Sequence, residues 1–220
     1  MVTIREMLKH GTAGAVLVVA LVAGSANALA QNADLEQQIL KSLLPVAKPT
    51  ATRPPTRSLT AAPVETARTD DSKFLESLKN RPSRSLTLGE RDQIASIAKE
   101  RPSVDVEINF DFRSANIGRT AAPSVTALGK ALTSPELKGS TFVLAGHTDA
   151  KGSDRANQDL SEKRADSVKR YLVQHFQIPA ATLVTAGYGK TKLKNESDPN
   201  GPENRRVQIV NMEERAVSER

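Results

Sequence analysis

Two oppositely charged side chains, Asp149 and Arg164, stand where a ligand bearing both an ammonium and a carboxylate would find partners. Asp149 follows an apolar run at residues 142–145, and open sheets place their ligands just beyond the carboxyl ends of strands. Arg164 belongs to a row at four-residue steps along one helix face: Leu160, Arg164, Val168, Leu172 and Phe176. A guanidinium among buried neighbours requires an anionic partner. The pair therefore matches the head group of an amino acid.

The surroundings of the pair add neutral hydrogen-bonding groups. Asn157 lies on the same helix face two turns before Arg164, and the loop Thr148–Ser153 supplies backbone N–H groups beside a helix N-terminus, where a carboxylate is favoured. The residues alone leave a second interpretation open, in which Asp149 closes the turn and Arg164 pairs with it internally. Such a buried ion pair contributes little net stability.

A strand, a tight polar loop and a long helix must position these groups. The run Phe142 to Ala145 is typical of a strand covered on both faces, and Gly146 ends it. Ser153 is placed to cap a helix from Ala156 to Phe176. The charged residues off the apolar row are predicted to face solvent: Lys163, Lys169, Arg170, Glu162 and Asp166.

Further strands and helices surround this unit. Val104, Val106, Ile108 and Phe110 alternate with polar residues, which predicts a strand with one solvated face. The remaining predicted elements are strands Leu183–Ala186 and Arg206–Val210, a helix Ser124–Leu132, and a helix Thr87–Lys99 that opens with a Thr87/Glu90 capping box. Alternating strands and helices predict an α/β chain (an α+β sandwich), in which helices pack on a sheet.

Several of these motifs together resemble the OmpA-like domain, the peptidoglycan-binding family that includes the Pal and MotB periplasmic domains. They are Gly146-His147-Thr148-Asp149, then Gly152, Asn157, Leu160-Ser161, Arg164-Ala165 and Asn204-Arg205-Arg206-Val207. The resemblance covers residues 104–212. It implies a mixed sheet of about four strands packed by two or more helices. It also implies that Asp149 meets the ammonium, and Arg164 the carboxylate, of the diaminopimelate residue in the stem peptide.

The resemblance and the residues together give a candidate ligand-binding set: Asp149, Arg164, Asn157, Thr148, Leu160, Arg205 and Arg206. Alternation along the last strand sends Arg205 and Arg206 to opposite faces, so at most one should point at the site. Two positions depart from the family pattern. Arg113 stands where the family usually has Asp or Asn, and Ala156 replaces an aromatic residue often found before the Asn.

The predicted organisation has five segments. Residues 1–30 resemble a signal peptide, with an uncleaved membrane anchor as the alternative. Residues 31–71 are a flexible Pro-rich tether that begins with a short helix at Asn32–Leu44, and residues 72–102 are a helical extension packed on the domain. Residues 103–213 form the OmpA-like domain, and 214–220 are a frayed tail.

Composition argues against other classes of function. The chain has no cysteine, and its three histidines, at positions 10, 147 and 175, are far apart, so we expect neither a metal site nor a cofactor. The net charge of +6 comes from scattered basic residues without interleaved aromatics, which disfavours nucleic acid as a partner. We expect no enzyme, because the spacing of His147, Asp149 and Ser153 is not that of a recognisable catalytic triad.

The sequence thus predicts a non-catalytic, peptidoglycan-binding protein of the periplasm, associated with the outer membrane or cell wall. It would clamp the diaminopimelate residue and tether an envelope component, with other envelope proteins as possible partners of its N-terminal segment. Two alternatives stay open. One is a stator-like wall-binding protein anchored in the inner membrane, and the other is a structural envelope protein without a ligand.

Overall fold

The computed structural model of this 220-residue chain describes residues 32–45, 63–111 and 113–213, with only the backbone described for 63–69. The predicted signal peptide, the stretch 46–62 of the tether and the tail 214–220 lie outside the described residues. Within the described ranges, every helix is too short or too polar to span a bilayer.

A mixed four-stranded sheet forms the centre of the fold, as predicted. Its strands are β1 (Ser103–Glu107), β2 (Phe142–Gly146), β3 (Leu183–Gly187) and β4 (Arg206–Asn211), in the order β1-β4-β2-β3. β2 and β3 run parallel, whereas β4 is antiparallel to both β1 and β2. The parallel register places Gly146 opposite Gly187 at the carboxyl ends of the two strands.

The helices are α1 (residues 32–43), α2 (Pro63–Leu78), α3 (Leu88–Ala98), α4 (Ala122–Leu132) and α5 (Asp154–Phe176), joined in part by single 3-10 turns at Ser83–Ser85, Ala180–Thr182 and Pro202–Asn204. The predicted caps are confirmed. Thr87 and Glu90 form both hydrogen bonds of a capping box, and the Ser153 hydroxyl accepts from the backbone N–H of Ala156. These side chains satisfy donors that a helix start leaves unpaired.

Two predicted boundaries are wrong. α2 begins at Pro63, so residues 63–71 are helical and do not belong to a flexible tether; proline suits the first helical turn because its missing N–H is not needed there. β1 ends at Glu107 and does not reach Phe110, since its partner β4 begins opposite that residue, at Arg206. Ile108 is nevertheless buried just past the strand.

Alternation along the strands builds two hydrophobic cores, one on each face of the sheet. On the first face, Phe142 and Leu144 of β2 pack with α1, α4 and α5. On the second face, Val143 and Ala145 pack with the end of α2 and with α3. The extension at residues 72–102 therefore covers the second face of the sheet as an integral layer, which the sequence did not locate.

The N-terminal half of α5 lies directly against the ends of β2 and β3. A Cβ at Gly146 would collide with the Ser161 carbonyl oxygen, and one at Gly187 would come within 2.6 Å of Ser161 Oγ. Ser161 Oγ also accepts from Gly189 N at 2.9 Å. Glycine at both strand ends thus allows the close approach that fixes the helix carrying Arg164 against the loop carrying Asp149.

One residue of α5 that was predicted to face solvent is buried. Glu162 is 7% exposed, ion-pairs with Arg91 of α3 at 3.3 Å and accepts from Gln158 Nε2 at 2.7 Å. The prediction was wrong because α5 packs on two sides. A helical period cannot reveal a partner supplied by a segment that lies so much earlier in the chain.

Candidate functional site

The loop after β2 holds Asp149 in a defined position. Asp149 Oδ1 accepts from Lys151 N at 3.2 Å, and Oδ2 contacts Arg205 Nη1 at 3.1 Å. The Asp149 side chain is 13% exposed, compared with 43% for Arg205. This pair therefore sits at the surface, with its carboxylate directed inward and its guanidinium reaching solvent.

The same loop uses several of its own backbone donors. Thr148 N–H donates to the Gly189 carbonyl and Ala150 N–H to the Pro199 carbonyl, both at 2.9 Å, while Lys151 N–H donates to Asp149. These three N–H groups are consequently engaged within the protein. The prediction that the loop's backbone shares a ligand carboxylate does not hold for them.

Arg164 is a buried cation that has no carboxylate partner in the described part of the chain. It is 7% exposed; its Nε donates to the Ser114 carbonyl at 3.0 Å, and its guanidinium lies 4.8 Å from the centroid of the Phe110 ring. Across residues 32–45, 63–111 and 113–213, no Asp or Glu oxygen lies within 4.0 Å of it. Asp149 pairs with Arg205 instead, so the internal Asp149–Arg164 ion pair of the alternative interpretation is absent from these ranges.

The electrostatics of this group favour an added anion. Burial lowers the pKa of Arg164 from its ordinary value, repulsion from Arg205 lowers it further, and the charge of Asp149 partly offsets both. Two guanidinium groups thus share one nearby carboxylate. The group carries one surplus positive charge, which an incoming carboxylate would neutralise.

Three other predicted residues surround this group in different ways. Asn157 is 5% exposed, and its Nδ2 donates to the Lys151 carbonyl at 2.8 Å, so it fastens the loop to α5. Thr148 is buried, and its Oγ1 has no hydrogen-bond partner in the described part of the chain. Leu160 is half-buried on α5, one turn before Arg164.

Arg206 lies elsewhere, as strand alternation predicted for one of the two arginines. Its Nε contacts Asp105 Oδ1 of β1 at 3.0 Å, and its Nη2 donates to the Lys192 carbonyl at 3.5 Å. His147 is on this same second face, where its ring stacks on Tyr188 with centroids 5.4 Å apart. Of the predicted set, the structure therefore groups Asp149, Arg164 and Arg205 and separates Arg206 from them.

Sequence reasoning missed the groups that hold Arg164. Phe110 was assigned only to a strand, and the Ser114 carbonyl is a backbone atom that leaves no signal in the residue types. The neighbouring Arg113 has a φ of 54°, in the left-handed region that Asn and Asp tolerate better than most residues. This conformation gives a physical reason for the family's usual Asp or Asn at the position, and the Arg113 side chain itself is exposed.

The segment that contains this site is similar to a family of known proteins. Residues 109–207 match the model of the OmpA family. Outer membrane protein A of Klebsiella aerogenes is 37% identical over 93 residues, which is 42% of this chain and 25% of that protein. A protein of Gloeobacter violaceus named photosystem I P700 chlorophyll a apoprotein A2 is 37% identical over 112 residues, which is 47% of this chain and 12% of that protein.

Among solved structures, the OmpA-like domain of FopA1 from Francisella tularensis is similar with a TM-score of 0.42 and 21% identity, covering 49% of this chain and 70% of that one. The chain spans between 12% and 32% of the length of the first curated relatives that it matches. The matched segment includes Asp149, Arg164 and Arg205. Residues 109–207 of this chain are therefore similar to the OmpA family over the segment that contains the site.

Proposed function

We propose that this protein is a non-catalytic module of the cell envelope that binds peptidoglycan through the diaminopimelate residue of the stem peptide. The match of residues 109–207 to the OmpA family model supports this assignment, because the OmpA-like resemblance of the same segment implies peptidoglycan binding. The ligand site would be the cluster of charged side chains formed by Asp149, Arg164 and Arg205. These are charged groups on a rigid α5–β2 frame, well suited to fixing one amino-acid centre.

The observation that carries the proposal is the state of Arg164. A buried guanidinium normally pairs with a carboxylate, because leaving a charge unpaired away from water is costly. Here its partners are a carbonyl oxygen and the face of an aromatic ring. A ligand carboxylate would complete the pairing through two parallel N–H···O bonds, the strongest geometry open to an arginine.

Asp149 would receive the ammonium of the same amino-acid centre. Each of its oxygens has one described partner, and an ionised carboxylate has about four acceptor sites, so capacity remains for an ammonium. Arg205 orients the carboxylate through Oδ2. Asn157 would act indirectly, by holding the loop at Lys151.

The cellular setting is part of the same proposal. Export by residues 1–30 would deliver the domain to the periplasm, where it would tether an envelope component to the wall. Curated relatives named outer membrane protein A support an envelope location. Sequencing of the mature N-terminus would test export, since cleavage predicts Gln31 as the first residue and an uncleaved anchor predicts Met1.

Co-sedimentation with purified sacculi tests the binding. The full-length protein should pellet with diaminopimelate-type sacculi and not with lysine-type sacculi. Arg164→Ala and Asp149→Ala should each reduce the bound fraction by at least ten-fold, the scale expected when a charged hydrogen bond worth about 1.5–3 kcal/mol is lost.

Two exposed neighbours provide matched controls. Lys163→Ala and Asp159→Ala remove the same charges from a surface pair on α5, whose members are 64% and 61% exposed. Both should pellet like the wild type. Equal pelleting by all five proteins would mean that general basic charge carries the binding, and absence of pelleting by the wild type would refute the assigned ligand.

A further inference from the structure

A cavity lies on the second face of the sheet, between α3 and the strands. It has a volume of about 260 Å³, and we call it the second-face cavity. Its apolar wall consists of Ile94, Ala95, Ala98, Val143, Ala145 and Val210. The polar part of the lining includes His147, Lys192 and Arg206, and also Lys99, Ser103 and Gln208. The cavity thus combines apolar and polar lining groups.

His147 is a buried imidazole with unused hydrogen-bonding capacity. It is 2% exposed, and the Lys192 backbone carbonyl lies near the ring, but no described residue makes a hydrogen bond of good geometry to Nδ1 or Nε2. Burial, together with the neighbouring positive charge of Arg206, lowers the pKa of His147 to about 3. The neutral ring offers one donor and one acceptor, and neither is used within the described structure.

Arg206 presents a second unused group at the same place. Its Nη1 is buried and has no hydrogen-bond partner in the described ranges, although its Nε is paired with Asp105. Leaving such a charged group unsatisfied is energetically costly. Two unpartnered groups that border one cavity therefore point to an occupant that accepts hydrogen bonds.

The charges around this part of the cavity sum to a positive value. Arg206 and Lys194 both contact Asp105, Lys194 at 2.9 Å, and Lys192 lies 3.6 Å from Asp92. The cavity lining itself has three cations, Lys99, Lys192 and Arg206, and no described Asp or Glu, while Asp105 and Asp92 lie outside it. The surplus favours an anion, while the apolar wall favours a hydrocarbon body.

We infer that the second-face cavity binds a small carboxylate with an apolar body, its head group directed to Arg206 and His147 and its body against α3 and the sheet. A volume of about 260 Å³ holds several water molecules, which suits a ligand of a few heavy atoms such as a short fatty acid. This inference is independent of the wall-binding site, since that site uses Asp149, Arg164 and Arg205.

Nuclear magnetic resonance titration of the full-length protein with hexanoate tests the inference. Hexanoate should shift the backbone amide signals of His147 and Arg206 saturably. Hexanol, which keeps the hydrocarbon but lacks the charge, should bind at least ten-fold more weakly, and hexylammonium should cause no saturable shift. This comparison needs no variant, so it does not depend on a substitution being tolerated.

A matched pair of substitutions on α3 then locates the ligand. Ala98→Phe places a ring in the cavity and should weaken hexanoate binding by at least ten-fold, whereas Ser96→Phe adds the same ring at an exposed position outside the lining and should leave it unchanged. Absence of saturable shifts would mean that water alone satisfies the two buried groups, and the inference would fail. It would fail equally if hexylammonium bound as well as hexanoate, or if Ala98→Phe bound like the wild type.

Discussion

Two buried arginines, Arg164 and Arg206, lie on opposite sides of this domain and differ in how their charge is compensated. Arg206 has a carboxylate of its own chain, Asp105, at 3.0 Å. Arg164 has a carbonyl oxygen at 3.0 Å and an aromatic ring, and the nearby Asp149 is engaged by Arg205. Both side chains are nearly inaccessible, so burial alone does not distinguish them.

The difference separates an arginine whose charge is paired within the fold from one that, under the proposed function, pairs with the wall peptide. The Arg206–Asp105 pair joins β4 to β1, the edge strand of the sheet, and removing either partner leaves the other charge unpaired. Arg164 has no such carboxylate partner among the described residues. The partner of a buried charge is therefore a better indicator of ligand binding than the charge itself.

The largest effect on stability is expected from breaking the Arg206–Asp105 ion pair. Asp105→Ala leaves the Arg206 guanidinium buried without a carboxylate and should lower the free energy of unfolding by about 3 kcal/mol. Asp149→Ala should cost less than about 1 kcal/mol, because Arg205 is 43% exposed and water replaces its partner. Urea denaturation at pH 7 measures both values. Equal costs for the two variants would contradict the distinction between the arginines.

An intermediate effect on stability is expected from pH, through His147, which lies on the same face of the sheet as Arg206. The pKa of His147 is lowered to about 3 in the folded chain, against an ordinary value of 6.5. Between these values the unfolded chain binds a proton that the folded chain does not, so stability falls as pH falls below about 6.5. The loss should reach about 1.5 kcal/mol by pH 5, approaching about 1.4 kcal/mol per pH unit.

The variant His147→Gln isolates this contribution, since glutamine does not titrate. Its stability should decline less than that of the wild type between pH 6.5 and pH 5, the difference being about 1.5 kcal/mol. The groups that act on His147 besides its burial are Arg206, Asp105 and Lys192. Parallel curves of stability against pH for the two proteins would show that folding does not lower the pKa of His147.

The smallest effect is expected from Arg205. Arg205→Ala removes an orienting contact to Asp149 and one positive charge from the ligand site. It should weaken sacculus binding about three-fold, which corresponds to less than about 1 kcal/mol for an exposed pair. Arg206→Lys, which keeps the charge on the other face, should not change sacculus binding. Tighter binding by Arg205→Ala would show instead that Arg205 competes with the ligand for Asp149.

Much of this architecture was predictable because its signals are local. The apolar run at Phe142–Ala145, the Ser153 cap and the Thr87/Glu90 capping box depend on residues a few positions apart, and all three occur in the structure. Arg164 was recognised as exceptional because a charge interrupts an apolar row. Its burial at 7% exposure confirms that part of the prediction.

What was not predictable depends on segments distant in the chain. The placement of β4 between β1 and β2 brings Asp105 to Arg206 across 101 positions, and α3 brings Arg91 to Glu162. Likewise, Asp149 pairs with Arg205 across 56 positions, which could not be foreseen from the loop that contains Asp149. Residue types predict that a charge needs a partner, whereas only the fold determines which residue provides it.

The most direct test of the central claim is to observe the Nε–H signals of both arginines while a diaminopimelate-containing stem peptide is added. We predict a saturable shift of the Arg164 signal with an unchanged Arg206 signal, and neither response with the lysine-containing peptide. A shift of Arg206 alone, or an Arg164 signal that stays constant at saturating peptide, would contradict the account.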